Sequence, residues 1–148
     1  MHLHPAISHA PPLLIALALV SEILAFIYPK KNWRSYALQT LLFAAILSPL
    51  SYFTGYLASE SADKSFQIAN ELISSHQASA KLMLFALFAT LSFRFAESHA
   101  EHKKPFRITY SLLLCLAMLI AINTGYRGGS LVFEYGAGVS ARSSLGQP

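Results

Sequence analysis

Four long apolar runs constrain this chain more than any other feature of its sequence. They cover about residues 10–28, 36–58, 76–96 and 108–124, and each is long enough to cross a hydrocarbon core of roughly 30 Å as a helix. A segment in lipid must satisfy its own backbone hydrogen bonds, so we expect all four to be helical. Only 12% of the residues are charged, against about 25% in a soluble domain. The sequence therefore predicts an all-α membrane protein, a single domain (1–148) built as an antiparallel four-transmembrane-helix bundle.

The positions of lysine and arginine predict the orientation of this bundle. Three basic residues lie between the first two spans and three between the last two, whereas the segment between the second and third spans carries only Lys64. The positive-inside rule then places both basic loops in the cytoplasm and both termini on the outer, periplasmic side of a bacterial inner membrane. The basic residues lie in loops and do not form a stripe on one folded face, so no nucleic-acid partner is expected; the partner is membrane lipid.

The histidines are the residues best suited to carry chemistry. His2, His4 and His9 precede or open the first span and His76 opens the third, so the predicted topology places all four at the outer face. Imidazole is a common ligand of haem iron and also suits copper and zinc. Two histidines on different helices of a bundle can hold a haem b between them. We expect His9 and His76 to be the axial ligands because each stands where a span begins, with His4 as the alternative ligand or as a residue that orients the other ligand.

Small residues and a glycine-rich segment complete the predicted site. Gly55 ends a stripe of small residues on the second span, and such a stripe lets a helix or a flat cofactor approach closely. Gly125 is expected to close the fourth span and to begin a glycine-rich tail, residues 125–148, that folds over the outer face. There the guanidinium of Arg127 could pair with a haem propionate, or with a lipid phosphate or a loop carboxylate.

Other polar residues are expected to be less informative. Glu22 lies inside the first span and is either a functional carboxylate or an interfacial one. Arg94 is expected to reach the cytoplasmic head groups, and His99 and His102 are expected to be solvated loop residues. Cys115 is the only cysteine, which excludes an internal disulfide, a cysteine-ligated metal cluster and covalent attachment of haem.

The chain also resembles a known family of bacterial membrane proteins. The resemblance is carried by H-P-x-x-x-H-x-P from His4 to Pro11, by Gly55, by His76, and by G-x-x-G-G-x-L-V-F-x-x-G-x-G-V from Gly125 to Val139. These motifs look like the family filed as domain of unknown function 2231, over about residues 2–140, although members often have phenylalanine where this chain has Ala10. Members are described as four-helix inner-membrane proteins, some fused to rubredoxin-like or cytochrome-like modules, so the resemblance implies electron transfer.

Three functions fit these features. The leading hypothesis is a haem b-binding subunit that passes electrons at the outer face of the inner membrane, within a larger complex of redox subunits or to a periplasmic cytochrome. A chain of 148 residues leaves little room for a catalytic domain, so an electron-transfer subunit is favoured over an enzyme. The alternatives are a non-redox structural or assembly subunit with interfacial histidines, and a copper- or zinc-handling protein that uses His2, His4 and His9.

Overall fold

The protein consists of helices packed side by side. The structure, a computed structural model, describes residues 3–66 and 69–137, including the side chains of all of these except residue 3 and residues 60–66. The helices are α1 (Leu3–Ser8), α2 (Ala10–Ile27), α3 (Trp33–Phe66), α4 (Asn70–His99) and α5 (Lys103–Phe133). Four segments are long and apolar enough to cross a membrane, namely His4–Ile27, Trp33–Ser59, Asn70–His99 and Lys103–Phe133. The predicted all-α fold with four membrane-spanning helices is confirmed.

The first span is built from two helices because of its prolines. Pro11 and Pro12 lie in the first turn of α2 and have no N–H to donate. In a continuous helix these donors would bond the carbonyls four residues earlier, those of Ile7 and Ser8. The hydrogen-bond ladder is therefore interrupted, and α1 forms a separate short helix that packs against α3.

The bundle is organised as two helix pairs. α2 packs mainly against α3 and α4 mainly against α5, and smaller contacts of α3 with α4 and of α2 with α5 join the two pairs. Fully buried side chains from all four long helices form the core; among them are Ile15, Leu41, Leu87 and Leu114. Large apolar side chains also cover the outside, such as Phe85 on α4, as expected for a surface that faces lipid. Lys81 is an exposed charge within the α4 span.

The last three helices extend beyond their predicted bounds. The fourth span was predicted to end at Thr124, but α5 continues to Phe133, so residues 125–133 are helix and not tail. Each glycine here costs about 1 kcal/mol relative to alanine, and the helix persists where Gly128 packs against His76 of α4. The turn after α5 comes at Gly136, whose left-handed φ of 71° lets the next amide, of Ala137, bond the carbonyl of Leu131 at 2.9 Å. Residues 138–148 of the predicted tail lie outside the described residues.

Candidate functional site

His4 on α1 is held against α3 by hydrogen bonds that define its tautomer. Its Nδ1 lies 3.0 Å from the carbonyl oxygen of Ser51 and 3.3 Å from Oγ1 of Thr54. A carbonyl only accepts, and the Thr54 hydroxyl itself donates to the same carbonyl, so Nδ1 of His4 carries the proton. In the neutral ring the lone pair is then on Nε2, which is the nitrogen available to a ligand.

Gly55 brings the His4 ring close to the backbone of α3. A Cβ atom at position 55 would lie 2.7 Å from Cε1 of His4, a distance that side-chain carbons do not adopt. Glycine is therefore required here for the observed packing of α1 on α3. The sequence placed both residues in one site, and the structure shows that they are in direct contact.

His76 makes a similar contact on the other helix pair. It lies inside α4, which begins at Asn70, so it does not open the helix as the sequence suggested. A Cβ atom at Gly128 of α5 would lie 3.0 Å from Cε1 of His76. Nδ1 of His76 is buried and has no hydrogen-bond partner, although the Thr124 carbonyl lies nearby. His4 lies within electrostatic range of His76 and also of His9, and we refer to this end of the bundle as the histidine end.

Polar contacts between α4 and α5 support the position of His76. Oγ of Ser79 lies 2.9 Å from Oγ1 of Thr124, and the side-chain amide of Asn123 donates to Ser79 over 2.9 Å. Ser79 is about one turn from His76, and Thr124 is about one turn from Gly128. These hydrogen bonds therefore set the register in which the imidazole meets the glycine.

The other histidines are not brought into this pair. His9 is exposed at the junction of α1 and α2; it lies within electrostatic range of His4, whereas His4 is the histidine within electrostatic range of His76. His2 lies outside the residues that the structure describes. Among the described residues, no group of three histidine, cysteine or acidic side chains could hold a metal ion. His99 is exposed at the opposite end of α4, where its Nδ1 lies 3.0 Å from the carbonyl of Phe95. His102 is exposed as well.

Arg127 lies at the histidine end on helix α5, not in a tail. Its side chain is exposed and lines a groove of about 230 Å³ between α4 and α5. Its neighbour Gly128 contacts His76, so Arg127 projects from the flank of the same helix turn. Arg127 and His76 are close enough to interact electrostatically.

The opposite end of the bundle contains a group of charged side chains that the sequence did not reveal. We call this group the ionic cluster and its location the ionic end; its members are Glu22 of α2, Arg34 of α3, Arg94 and Glu97 of α4, and Tyr110 of α5. Glu97 accepts hydrogen bonds from Arg34 and, at 3.2 Å, from Arg94. The Tyr110 hydroxyl donates to Glu22 at 3.0 Å, and Nε of Arg34 lies 3.8 Å from the same carboxylate.

This cluster corrects two expectations. Arg94 does not extend to the head groups; it pairs with Glu97, whose side chain is 3% exposed. Glu22 is buried and paired, which is the arrangement a carboxylate requires inside a bundle in lipid. The sequence signal was present, since both acids and both arginines lie near the same ends of their spans. On sequence alone, Arg34 predicts only the orientation of the bundle and is not identified as a partner for an acid.

A four-span helical bundle with lipid-facing apolar sides and buried polar groups at both ends defines a polytopic α-helical membrane protein. A family model described as predicted membrane protein, DUF2231, matches residues 1–141, and the chain belongs to this family. The resemblance noted from the motifs is thereby confirmed. No curated protein and no solved structure matches the chain.

Proposed function

We propose that this protein is a haem b-binding subunit of the bacterial inner membrane, with His4 and His76 as the axial ligands. The observation that supports the proposal most strongly is the pair of imidazoles at one end of the bundle. They come from different helices, and each rests on a glycine of a neighbouring helix. The sequence favoured His9 as the axial ligand on the first span; we propose His4 instead, because His9 is exposed.

The two histidines suit this ligand chemically. A histidine that binds a metal commonly donates its second ring N–H to a carbonyl, as His4 does to Ser51. This bond keeps Nε2 unprotonated and limits rotation of the ring. Nδ1 of His76 is buried near the carbonyl of Thr124, so the same division of the two ring nitrogens is within reach of His76. Gly55 and Gly128 leave no side chains to crowd the rings.

Haem would supply one-electron chemistry, which requires no protein acid or base. The contributions of the chain itself are two imidazoles and their orientation. A one-electron carrier needs a donor and an acceptor, and we propose that other redox subunits or a periplasmic cytochrome serve these roles. The proposed orientation, with the histidine end outside, rests on the basic residues of the two loops at the ionic end.

An absorption spectrum tests the proposal directly. Protein purified from cells with ample haem should show the split α and β bands of a low-spin b haem after reduction with dithionite. His4→Ala and His76→Ala should each lose the haem or convert it to high spin. His9→Ala and His99→Ala are the matched controls, because both histidines are exposed.

Other outcomes are informative. If His9→Ala abolishes binding while His4→Ala retains it, the ligand on the first span is His9. Colourless wild-type protein under full haem supply refutes the proposal. Metal analysis of that protein would then separate a copper- or zinc-handling protein from a structural subunit.

A further inference from the structure

The groove at Arg127 is a second candidate site, separate from the histidine pair. It lies between α4 and α5 at the histidine end. Leu72 and Leu131 line it together with side chains that can form hydrogen bonds, namely Ser75, Asn123, Tyr126, Arg127, Ser130 and Tyr135. We propose that this groove binds the phosphate head group of an anionic phospholipid, with Arg127 as the main contact. The proposal does not depend on haem binding.

The charge of the groove favours an anion. Arg127 is the charged residue among those that line it, and among the described residues no carboxylate lies within 4 Å of its guanidinium. At the ionic end, by contrast, Arg34 and Arg94 both pair with Glu97. A guanidinium presents parallel N–H donors that match the oxygens of a phosphate. The hydroxyls of Ser130 and Tyr126 add neutral donors beside it.

The depth of the groove matches a lipid phosphate. Lys104 lies at the other end of α5, and Arg127 is about 35 Å from it along the helix axis at 1.5 Å per residue. A hydrocarbon core is roughly 30 Å thick, so the two cations fall at the head-group levels of opposite leaflets. Tyrosines at this level are typical of a membrane interface. About three turns deeper on the same face of α5, Leu116 is exposed and offers an apolar surface to an acyl chain.

Two other anions could reach the same guanidinium. The sequence suggested a haem propionate, but Arg127 is exposed on the flank of α5, whereas the adjacent Gly128 is the residue that faces His76. Free phosphate shares the chemistry of a lipid head group but lacks acyl chains to lie along the apolar surface of α5. The lipid therefore fits the groove and its surroundings together.

Lipid retention provides the test. Wild-type protein is reconstituted in an equimolar mixture of phosphatidylcholine and phosphatidylglycerol, and the lipids that remain bound are measured by native mass spectrometry. Wild-type protein should retain phosphatidylglycerol in preference, and Arg127→Gln should reduce this preference by about tenfold, the loss expected for one charge-assisted contact. Arg127→Lys should keep part of it. Arg107→Gln is the matched control, because Arg107 is exposed near the opposite end of α5.

Three results would overturn the proposal. Equal retention by wild-type protein and Arg127→Gln shows that the groove does not select the lipid. Displacement of the lipid by inorganic phosphate at equal concentration identifies a site for free anions. Unchanged retention together with a shifted midpoint potential of haem-loaded Arg127→Gln assigns Arg127 to a propionate. Because retention is measured on haem-free protein as well, failure of the haem proposal leaves this test intact.

Discussion

Gly55→Ala is the sharpest perturbation of the histidine end. The added methyl group would lie 2.7 Å from Cε1 of His4, whereas carbon atoms in contact are separated by about 3.5–4.0 Å. The ring must therefore retreat by about 1 Å. That movement strains the hydrogen bonds from Nδ1 to Ser51 and Thr54, which are 3.0 and 3.3 Å long.

The expected magnitude follows from two opposing effects. Overpacking of a tight contact costs about 1–3 kcal/mol, while alanine in place of glycine favours a helix by about 1 kcal/mol. Gly55→Ala should therefore lower the free energy of unfolding by up to about 2 kcal/mol and weaken haem binding by about tenfold or more. Gly128→Ala, at 3.0 Å from His76, should have a smaller effect in the same direction. Gly125→Ala is the control, because its Cβ would meet nothing within 4 Å.

Two measurements on detergent-solubilised protein compare the three glycine variants. Thermal unfolding reports the packing effect even in protein without haem, and haem titration followed by absorbance reports the effect on the site. The expected order of impairment is Gly55→Ala, then Gly128→Ala, with Gly125→Ala equal to wild type or more stable. If Gly55→Ala unfolds at the wild-type temperature, or if Gly125→Ala is equally harmful, the close contact between His4 and α3 is not what the glycine provides.

Two further predictions concern the ionic end. Glu97→Gln removes the buried carboxylate shared by two partly buried arginines and should destabilise the bundle by about 3 kcal/mol, measured as a lower unfolding temperature. The added change Arg34→Gln should restore part of the loss, and no recovery would argue against the ion pair. Reporter fusions after Lys31 and after Lys104 should read cytoplasmic, and a fusion at the C-terminus should read periplasmic. A cytoplasmic C-terminus would reverse the proposed orientation.

The four spans could be predicted because lipid imposes one strong condition on the backbone. An apolar run of sufficient length must form a helix there, whatever its neighbours. The ends of the helices were less predictable, since hydropathy marks the hydrocarbon core and α3, α4 and α5 continue past it. Gly125 was taken as a terminator for this reason, although the reversal of the chain comes at Gly136, where φ is positive.

The choice between His4 and His9 depends on helix geometry that the sequence contains only in part. Five residues correspond to about 140° around an ideal helix, so at most one of the two rings can face the interior. The break at Pro11 and Pro12 adds a change of helix direction that periodicity does not give. Gly55 indicates that a ring packs closely on α3, but only the packing of α1 on α3 shows that this ring is His4.

The ionic cluster was missed for a different reason. The positive-inside rule depends only on which loop carries a lysine or arginine, so it assigns Arg34 to a cytoplasmic loop and gives it no partner. Its role depends on partners from other helices, Glu22 and Glu97, whose proximity follows from tertiary packing. A buried charge in lipid requires a partner, so an acid and a base near the same end of adjacent spans should be considered together.

The two ends of the molecule can be understood from the helix pairs. Neither histidine–glycine contact joins the two pairs, because His4 of α1 packs on Gly55 of α3 and His76 of α4 packs on Gly128 of α5. In the ionic cluster, Arg34 with Glu97 joins α3 to α4, and Tyr110 with Glu22 joins α5 to α2, so both contacts connect one pair to the other. These contacts hold the two helix pairs together at the ionic end. The distance between His4 and His76 depends on how the two pairs pack at the histidine end. A ligand held by both rings would supply the matching connection there, because its two bonds would run from one pair to the other.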